Sequence, residues 1–327
     1  MTTTTIQSIT PHRRGICWSL VFIGLLFTGG LVLEIGVRLL IPRMSRVEAR
    51  TIREYQAALR PANPSKTLVL CVGNSLMNAG VQFDQLQQGL GSAIEVRRFL
   101  VEQTGSWDWF YGIRRLFSDG AKPAVVVLMI GPHDLIAPGI RGDYFAYRLM
   151  CTKDIFDVAD KLKLHPTVAA NMLAANLSAF YGLRSEIRKV FLGRLMPDLP
   201  VLTHKLTTTK GPVITSTELA NIGSERLKKL DSIAVENHAR FIFVLIPGPH
   251  AVLEVATPLQ TAAAATGIPV VLACHSGQIL PADYSDGHHM NAQGATKYTD
   301  SLIPILSNLL NEEKVMSGHQ PAPGRLF

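Results

Sequence analysis

Five short apolar, β-branched segments constrain this chain more than any other feature: TLVLCV (67–72), AIEVRRFLV (93–101), AVVVLMI (124–130), ARFIFVLI (239–246) and IPVVLA (268–273). Runs of this length and makeup predict strands. Between most of them lie stretches with helical apolar spacing, at 83–90, 107–117, 216–238 and 251–266. Strands that alternate with helices predict a mostly parallel five-stranded sheet between two helical layers, a three-layer α/β/α architecture of the flavodoxin-like kind. In such sheets a site forms beyond the carboxyl ends of the strands, near a topological switch point. Ser75, His133 and His250 would all fall there.

The N-terminus carries a different signal. Residues 15–33, GICWSLVFIGLLFTGGLVL, contain no charge and lie between Arg13-Arg14 and Glu34. A run of this length is about enough to cross a hydrocarbon core as a helix. It exceeds the usual apolar core of a cleaved signal peptide, and no A-x-A site follows, so an uncleaved single-pass anchor is the preferred reading, with a signal peptide as its rival. Arg38, Arg43, Arg46, Arg50 and Arg53 follow the run, and a plain count of basic residues would put the C-terminal side in the cytoplasm. Large domains translocate regardless of such charge, and a short N-terminal arm usually stays inside, so the expected location of the domain is periplasmic or otherwise extracytoplasmic.

The resulting division is a tail at 1–14, an anchor at 15–40, a stalk or linker at 41–66, a domain at 67–312 and a C-terminal tail at 313–327. Residues 51–66, TIREYQAALRPANPSK, are polar and include two prolines, which suits a linker. A mostly helical insertion at 141–215 interrupts the strand–helix alternation just after the third strand. It is expected to be a lid, an acceptor-binding wall or a purely structural layer.

The net charge is +7, but many of the arginines flank the anchor rather than form a nucleic-acid motif, so no nucleic-acid partner is expected. The four cysteines are far apart and give neither a disulfide framework nor a CxxC metal pattern.

Chemistry is signalled by two distant stretches. LVLCVGNSLM, 68–77, is an apolar run that stops at Gly-Asn-Ser, an ordinary strand end unless the strand serves to present Ser75. SDGHHMNAQG, 285–294, places Asp286 and His289 three residues apart just before a final helix that starts near Asn291 or Ala292. A serine hydroxyl is a poor nucleophile at neutral pH. It needs an imidazole to take its proton and a carboxylate to fix the imidazole's tautomer. Asp286 and His289 are candidates for that pair, with His288 a runner-up for the base. A metal reading of Asp286, His288 and His289 lacks a recognised ligand spacing, so no metal and no cofactor is expected.

GNSL at 73–76, Gly105 after the second strand, GPHD at 131–134 and DGHH at 286–289 resemble, in order, the four sequence blocks of the SGNH/GDSL hydrolase family. The likeness runs from about Thr67 to Leu309 and is nearest to bacterial membrane-anchored branches, some of which acylate cell-surface polysaccharides. The resemblance implies Ser75 as nucleophile, His289 as general base and Asp286 as its orienting carboxylate. It also implies an oxyanion hole from the backbone N–H groups of Ser75 and Gly105. Two positions depart from the family pattern. Asn74 stands where Asp is usual, and His133 stands where an asparagine amide completes the hole; a neutral imidazole can donate one hydrogen bond in its place. Asn74, Asp134, His250 and His288 are further pocket candidates.

These residues lead to a membrane-anchored serine esterase acting on an acyl ester, with O-acyl groups of an envelope polysaccharide or exopolysaccharide as the expected substrate. An O-acyltransferase using the same acyl-enzyme intermediate is the first alternative. The second belongs to another class, a non-catalytic glycan-binding or scaffold member of the fold.

Overall fold

The computed structural model describes residues 12–196, 214–249, 253–275 and 277–317. Its centre is a sheet of five parallel strands: β1 (Thr67–Gly73), β2 (Ile94–Leu100), β3 (Val125–Ile130), β4 (Arg240–Leu245) and β5 (Val270–Val271). All five expected strands are present, and the order is β2-β1-β3-β4-β5. The chain winds outward to β2 and then back across β1 to β3, so the switch point lies between β1 and β3.

The helices are α1 (His12–Met44), α2 (Arg46–Leu59), α3 (Ser75–Gly80), α4 (Phe83–Leu90), α5 (Ser106–Ser118) and α6 (Pro132–Ile136). The insertion contributes α7 (Asp143–Leu149), α8 (Thr152–Lys161), α9 (Pro166–Leu177), α10 (Ala179–Gly182) and α11 (Arg184–Leu195). The chain closes with α12 (Ser216–Glu236), α13 (Thr257–Ala264) and α14 (Ala292–Ser317).

Alternate residues of each strand enter opposite cores, as the two-residue period of a strand requires. Leu70, Val72, Leu128 and Phe243 face one layer with α5, α12 and the insertion helices. Val69, Cys71, Val127 and Val244 face the other, filled by Met77, Leu86, Tyr298 and Leu302 from α3, α4 and α14. Both faces are covered, which is why the strands are nearly continuous in apolar residues.

Helix α1 is one element in which Trp18–Met44 is long and apolar enough to cross a membrane, and that stretch is almost wholly unburied by the protein. The segment 41–66, expected as a linker, differs from that expectation because most of it is α2, docked on the domain. Ser45 caps α2, its Oγ accepting from the Glu48 N–H at 3.2 Å. Glu54, nearly buried, accepts the Leu100 N–H at 3.1 Å at the end of β2. Arg97 on β2 in turn donates to the carbonyls of Ala57 and Pro61, at 2.9 and 3.0 Å. An edge-to-face relay of rings, Tyr55–Phe99–Trp109–Phe145, runs from α2 through β2 and α5 to α7. Polarity of the sequence suggested a solvated tether. Glu54 instead satisfies an amide at the β2 edge that α2 covers, and Glu48 ties α2 to the insertion.

The described part of the insertion packs on α5, on α2 and on the C-terminal half of α1. Tyr144 on α7 donates from its hydroxyl to the buried Glu48 at 2.7 Å. The remainder of the insertion and His250 lie outside the described residues.

Candidate functional site

Ser75 is the first residue of α3, immediately beyond β1. The preceding residue, Asn74, is the N-cap, and its Oδ1 accepts the Leu76 N–H at 3.0 Å. As the first helical residue, Ser75 has a backbone N–H with no intrahelical acceptor. Strand end, cap and helix start therefore present both the hydroxyl and a free amide at the carboxyl end of the sheet.

The second half of the site comes from the loop before α14, 214 residues downstream. Asp286 Oδ1 accepts the N–H groups of His288 and His289 at 3.0 and 2.7 Å. Gly287 makes this turn with φ of +76°, a backbone region that other residues enter only with strain. The other carboxylate oxygen, Oδ2, lies 2.7 Å from His289 Nδ1, and His289 Nε2 lies 2.9 Å from Ser75 Oγ. The loop is pinned from behind. Ser285 N–H donates to the His289 carbonyl at 2.8 Å, Asn291 N–H to the Asp283 carbonyl at 2.8 Å, and Lys297 pairs with Asp283.

Burial alone would raise the Asp286 carboxyl, but the two amides and the imidazole outweigh it and hold the group down at about 2. An ionised Asp286 favours the tautomer with the proton on Nδ1, which leaves Nε2 as an acceptor for the serine hydroxyl.

Asn74 ties three loops together. Its Nδ2 donates to the Thr104 carbonyl at 2.9 Å and to Asp134 Oδ2 at 2.7 Å, and its own side chain is almost fully buried. Burial raises the Asp134 carboxyl, opposed by the hydrogen bonds from Asn74 and the Gly131 amide and by the nearby His133 and His288. With Asp at position 74, two carboxylates would meet in a poorly solvated site, and the Thr104 carbonyl would lose its donor. Asn74→Asp is therefore expected to lower stability at neutral pH by about 2 kcal/mol, with partial recovery in acid as the pair shares a proton. Adding Asp134→Asn should restore much of the loss at neutral pH, read by thermal unfolding of the single and double variants.

The expected oxyanion donors fare unequally. Gly105 is placed beside the site because a Cβ there would lie 2.7 Å from the Asp134 carbonyl. Its N–H, however, donates to Asp108 Oδ2 at 2.8 Å in the cap of α5, so this amide is already engaged in the structure rather than free. The reason is the helix it begins: an N-terminal amide needs an acceptor, and Asp108 three residues on supplies one. The G-S-W-D spacing carried that signal in the sequence. His133 stands exposed on α6, at the carboxyl end of β3, and its imidazole makes no hydrogen bond with the described residues. His288 is also exposed, engaged through its backbone rather than its ring.

Asp108 is buried and also accepts the Arg141 N–H at 2.7 Å, joining α5 to the first residue of the insertion. Burial pushes its carboxyl from 3.8 up to about 7 despite these amides. A raised folded-state value favours the folded protein below pH 3.8, and this contribution is lost as pH rises through about 7. Replacing Asp108 with Asn is expected to remove that dependence. The variant should gain on the parent in melting temperature as pH climbs across this window, measured on the full chain in detergent.

Sequence reasoning also missed Arg226. Its guanidinium donates to Ser106 Oγ and to the carbonyls of Leu135 and Ala137, at 3.0, 2.8 and 2.7 Å. It thereby fastens α12 to the two loops that flank Ser75. No local pattern in the sequence marks such a contact. Among the described residues, no three His, Cys, Asp or Glu side chains converge as metal ligands.

No family model matches the chain, and no curated protein matches it. Among solved structures it is similar to a "putative acylhydrolase" from Bacteroides fragilis NCTC 9343, at 14% identity and a TM-score of 0.40, over 82% of this chain and 97% of that one. A likeness this distant assigns no chemistry. The site is read from its own distances.

Proposed function

We propose that this protein is a serine enzyme acting on ester bonds, of the SGNH/GDSL type, held at a membrane by α1. The observation that carries the proposal is the continuous relay Asp286–His289–Ser75, at 2.7 and 2.9 Å, assembled from opposite ends of the domain at a sheet switch point. In this reading His289 Nε2 takes the Ser75 proton as Oγ attacks an acyl carbonyl, and Asp286 stabilises the imidazolium that forms. The proton then passes to the leaving alcohol, and water or a sugar hydroxyl resolves the acyl-enzyme. In this reading the Ser75 N–H faces the developing oxyanion, and the His133 ring, on the helix after β3, supplies the second donor. Envelope or exopolysaccharide O-acyl groups are the proposed substrates, with the domain on the extracytoplasmic side.

A second reading, a glycan-binding or scaffold protein, is favoured by one observation: the Gly105 amide is already bonded, which leaves the oxyanion hole short of a donor. The two are separated by intact-mass analysis of the full chain in detergent after exposure to a fluorophosphonate probe. One stoichiometric adduct supports the enzyme; a folded but unlabelled protein supports the binding role. Acyl transfer is then distinguished from hydrolysis by adding sugar acceptors to a chromogenic acyl ester and following acylated sugar against free acid.

A further inference from the structure

The insertion leaves large apolar side chains unburied. Leu177 on α9, Phe180 on α10 and Phe191 and Leu195 on α11 are 65%, 43%, 60% and 76% exposed. Clusters of this kind on a folded surface call for a partner. We propose that the partner is the lipid bilayer itself: α9, α10 and α11 form a wing seated in the membrane boundary beside α1. The proposal stands apart from the chemistry of Ser75.

What selects lipid is a contact with α1. Glu34, within the apolar span, accepts the N–H groups of Ala179 and Phe180 at 2.7 and 3.1 Å and the Ser178 hydroxyl at 2.9 Å. The start of α10 is thus fixed to α1 at the level of Glu34. About 20 helical residues fill the hydrocarbon core, so a span entered at Gly15, directly after Arg13 and Arg14, leaves it near Glu34. Glu34 therefore lies at that boundary, where the apolar run ends. Leu177 and Phe180 bracket Ser178 and Ala179, the residues bonded to Glu34, and Phe180 donates its own N–H to that carboxylate, so both apolar side chains start at this level.

Helix α11 fits the same boundary. Arg188, Phe191 and Leu195 fall on one exposed stripe by their three- and four-residue spacing, and Arg194 is exposed beside them. Arginines interleaved with exposed apolar side chains on one helix suit the boundary between lipid phosphates and acyl chains. The ion pair of Glu34 with Arg38 lets the carboxylate sit at this depth while sharing its charge. A seated wing, together with the docked α2, would hold the domain at a fixed attitude to the membrane.

The test uses the full chain in nanodiscs of phosphatidylcholine and phosphatidylglycerol, with Cys17 and Cys151 changed to Ser and the buried Cys71 and Cys274 retained. Single nitroxides are attached at Phe180→Cys, Phe191→Cys, Leu31→Cys as a bilayer reference and Lys228→Cys as a water reference. Far-UV circular dichroism and melting temperature confirm that each labelled protein is folded. The expected result is a shift of the oxygen-to-nickel-chelate collision ratio at 180 and 191 toward that of Leu31→Cys and away from that of Lys228→Cys. Ratios at 180 and 191 equal to the water reference, with Leu31→Cys in lipid, would overturn the proposal. So would labels sheltered from both relaxants with dipolar broadening between copies, which would assign the face to a second chain.

Discussion

Replacing Ser75 with Ala is expected to abolish fluorophosphonate labelling, and His289→Ala to reduce its rate by on the order of 10⁴-fold or more, because a serine without its base is close to an ordinary alcohol. Both variants should keep the parent's stability within about 1 kcal/mol, read from denaturant unfolding, since each removes a partly exposed group rather than core volume. Asp286→Asn should act differently. An asparagine can still accept the two loop amides through Oδ1, but its amide faces Nδ1 and favours the other imidazole tautomer, so the loop survives and the rate falls. Intact mass against time for the three variants separates these outcomes. Unchanged labelling of His289→Ala would refute the relay. Acid loss of activity above about pH 3 would belong to other groups, because Asp286, held at about 2, stays ionised there. Its contribution to folding is present above its ordinary 3.8 and fades only as pH falls toward that lowered value.

Gly73→Ala is the second large effect, and it acts through the backbone. A Cβ at Gly73 would fall inside contact distance of the Met129 carbonyl on β3 and lie 3.1 Å from the Met77 side chain on α3. The carbonyl belongs to the central sheet and cannot swing aside as a side-chain end would. Gly73 is also where β1 gives way to α3, with its own carbonyl accepting the Val101 N–H at 3.1 Å. The substitution is therefore expected to cost about 3 kcal/mol or more and to displace Ser75, so probe labelling should slow even in the fraction that folds. Denaturant unfolding and labelling rate measured on the same preparation check both parts. The glycine of the G-N-S turn is thus required by close packing, and the turn and the presentation of Ser75 are one feature.

Much of the architecture was legible because it is written in short-range patterns. Five apolar segments and the helical spacing between them yielded five parallel strands, with only the last much shorter than its apolar run. The order of GNSL, GPHD and DGHH also suggested, through its resemblance to a hydrolase family, that Ser75, Asp286 and His289 belong together, and in the fold these three side chains meet. The linker reading of 41–66 went astray for a physical reason. Glu48 and Glu54 read as solvated charges along the chain, yet in the fold they meet Tyr144 and the end of β2, which lie 96 and 46 residues away.

What the sequence by itself determined, then, is local: which residues extend, which coil, where an apolar helix of membrane length begins, and which side chains can do nucleophilic chemistry. Periodicity and turn residues act over a few positions, so one chain suffices to read them. What only the tertiary structure decided is who uses each hydrogen-bonding group. It gave the Gly105 amide to Asp108, joined Asn74 to Asp134, fastened Arg226 beneath the loops around Ser75 and set the insertion against α1. A buried donor must find an acceptor in space, and the partner's place along the chain is unconstrained by that need.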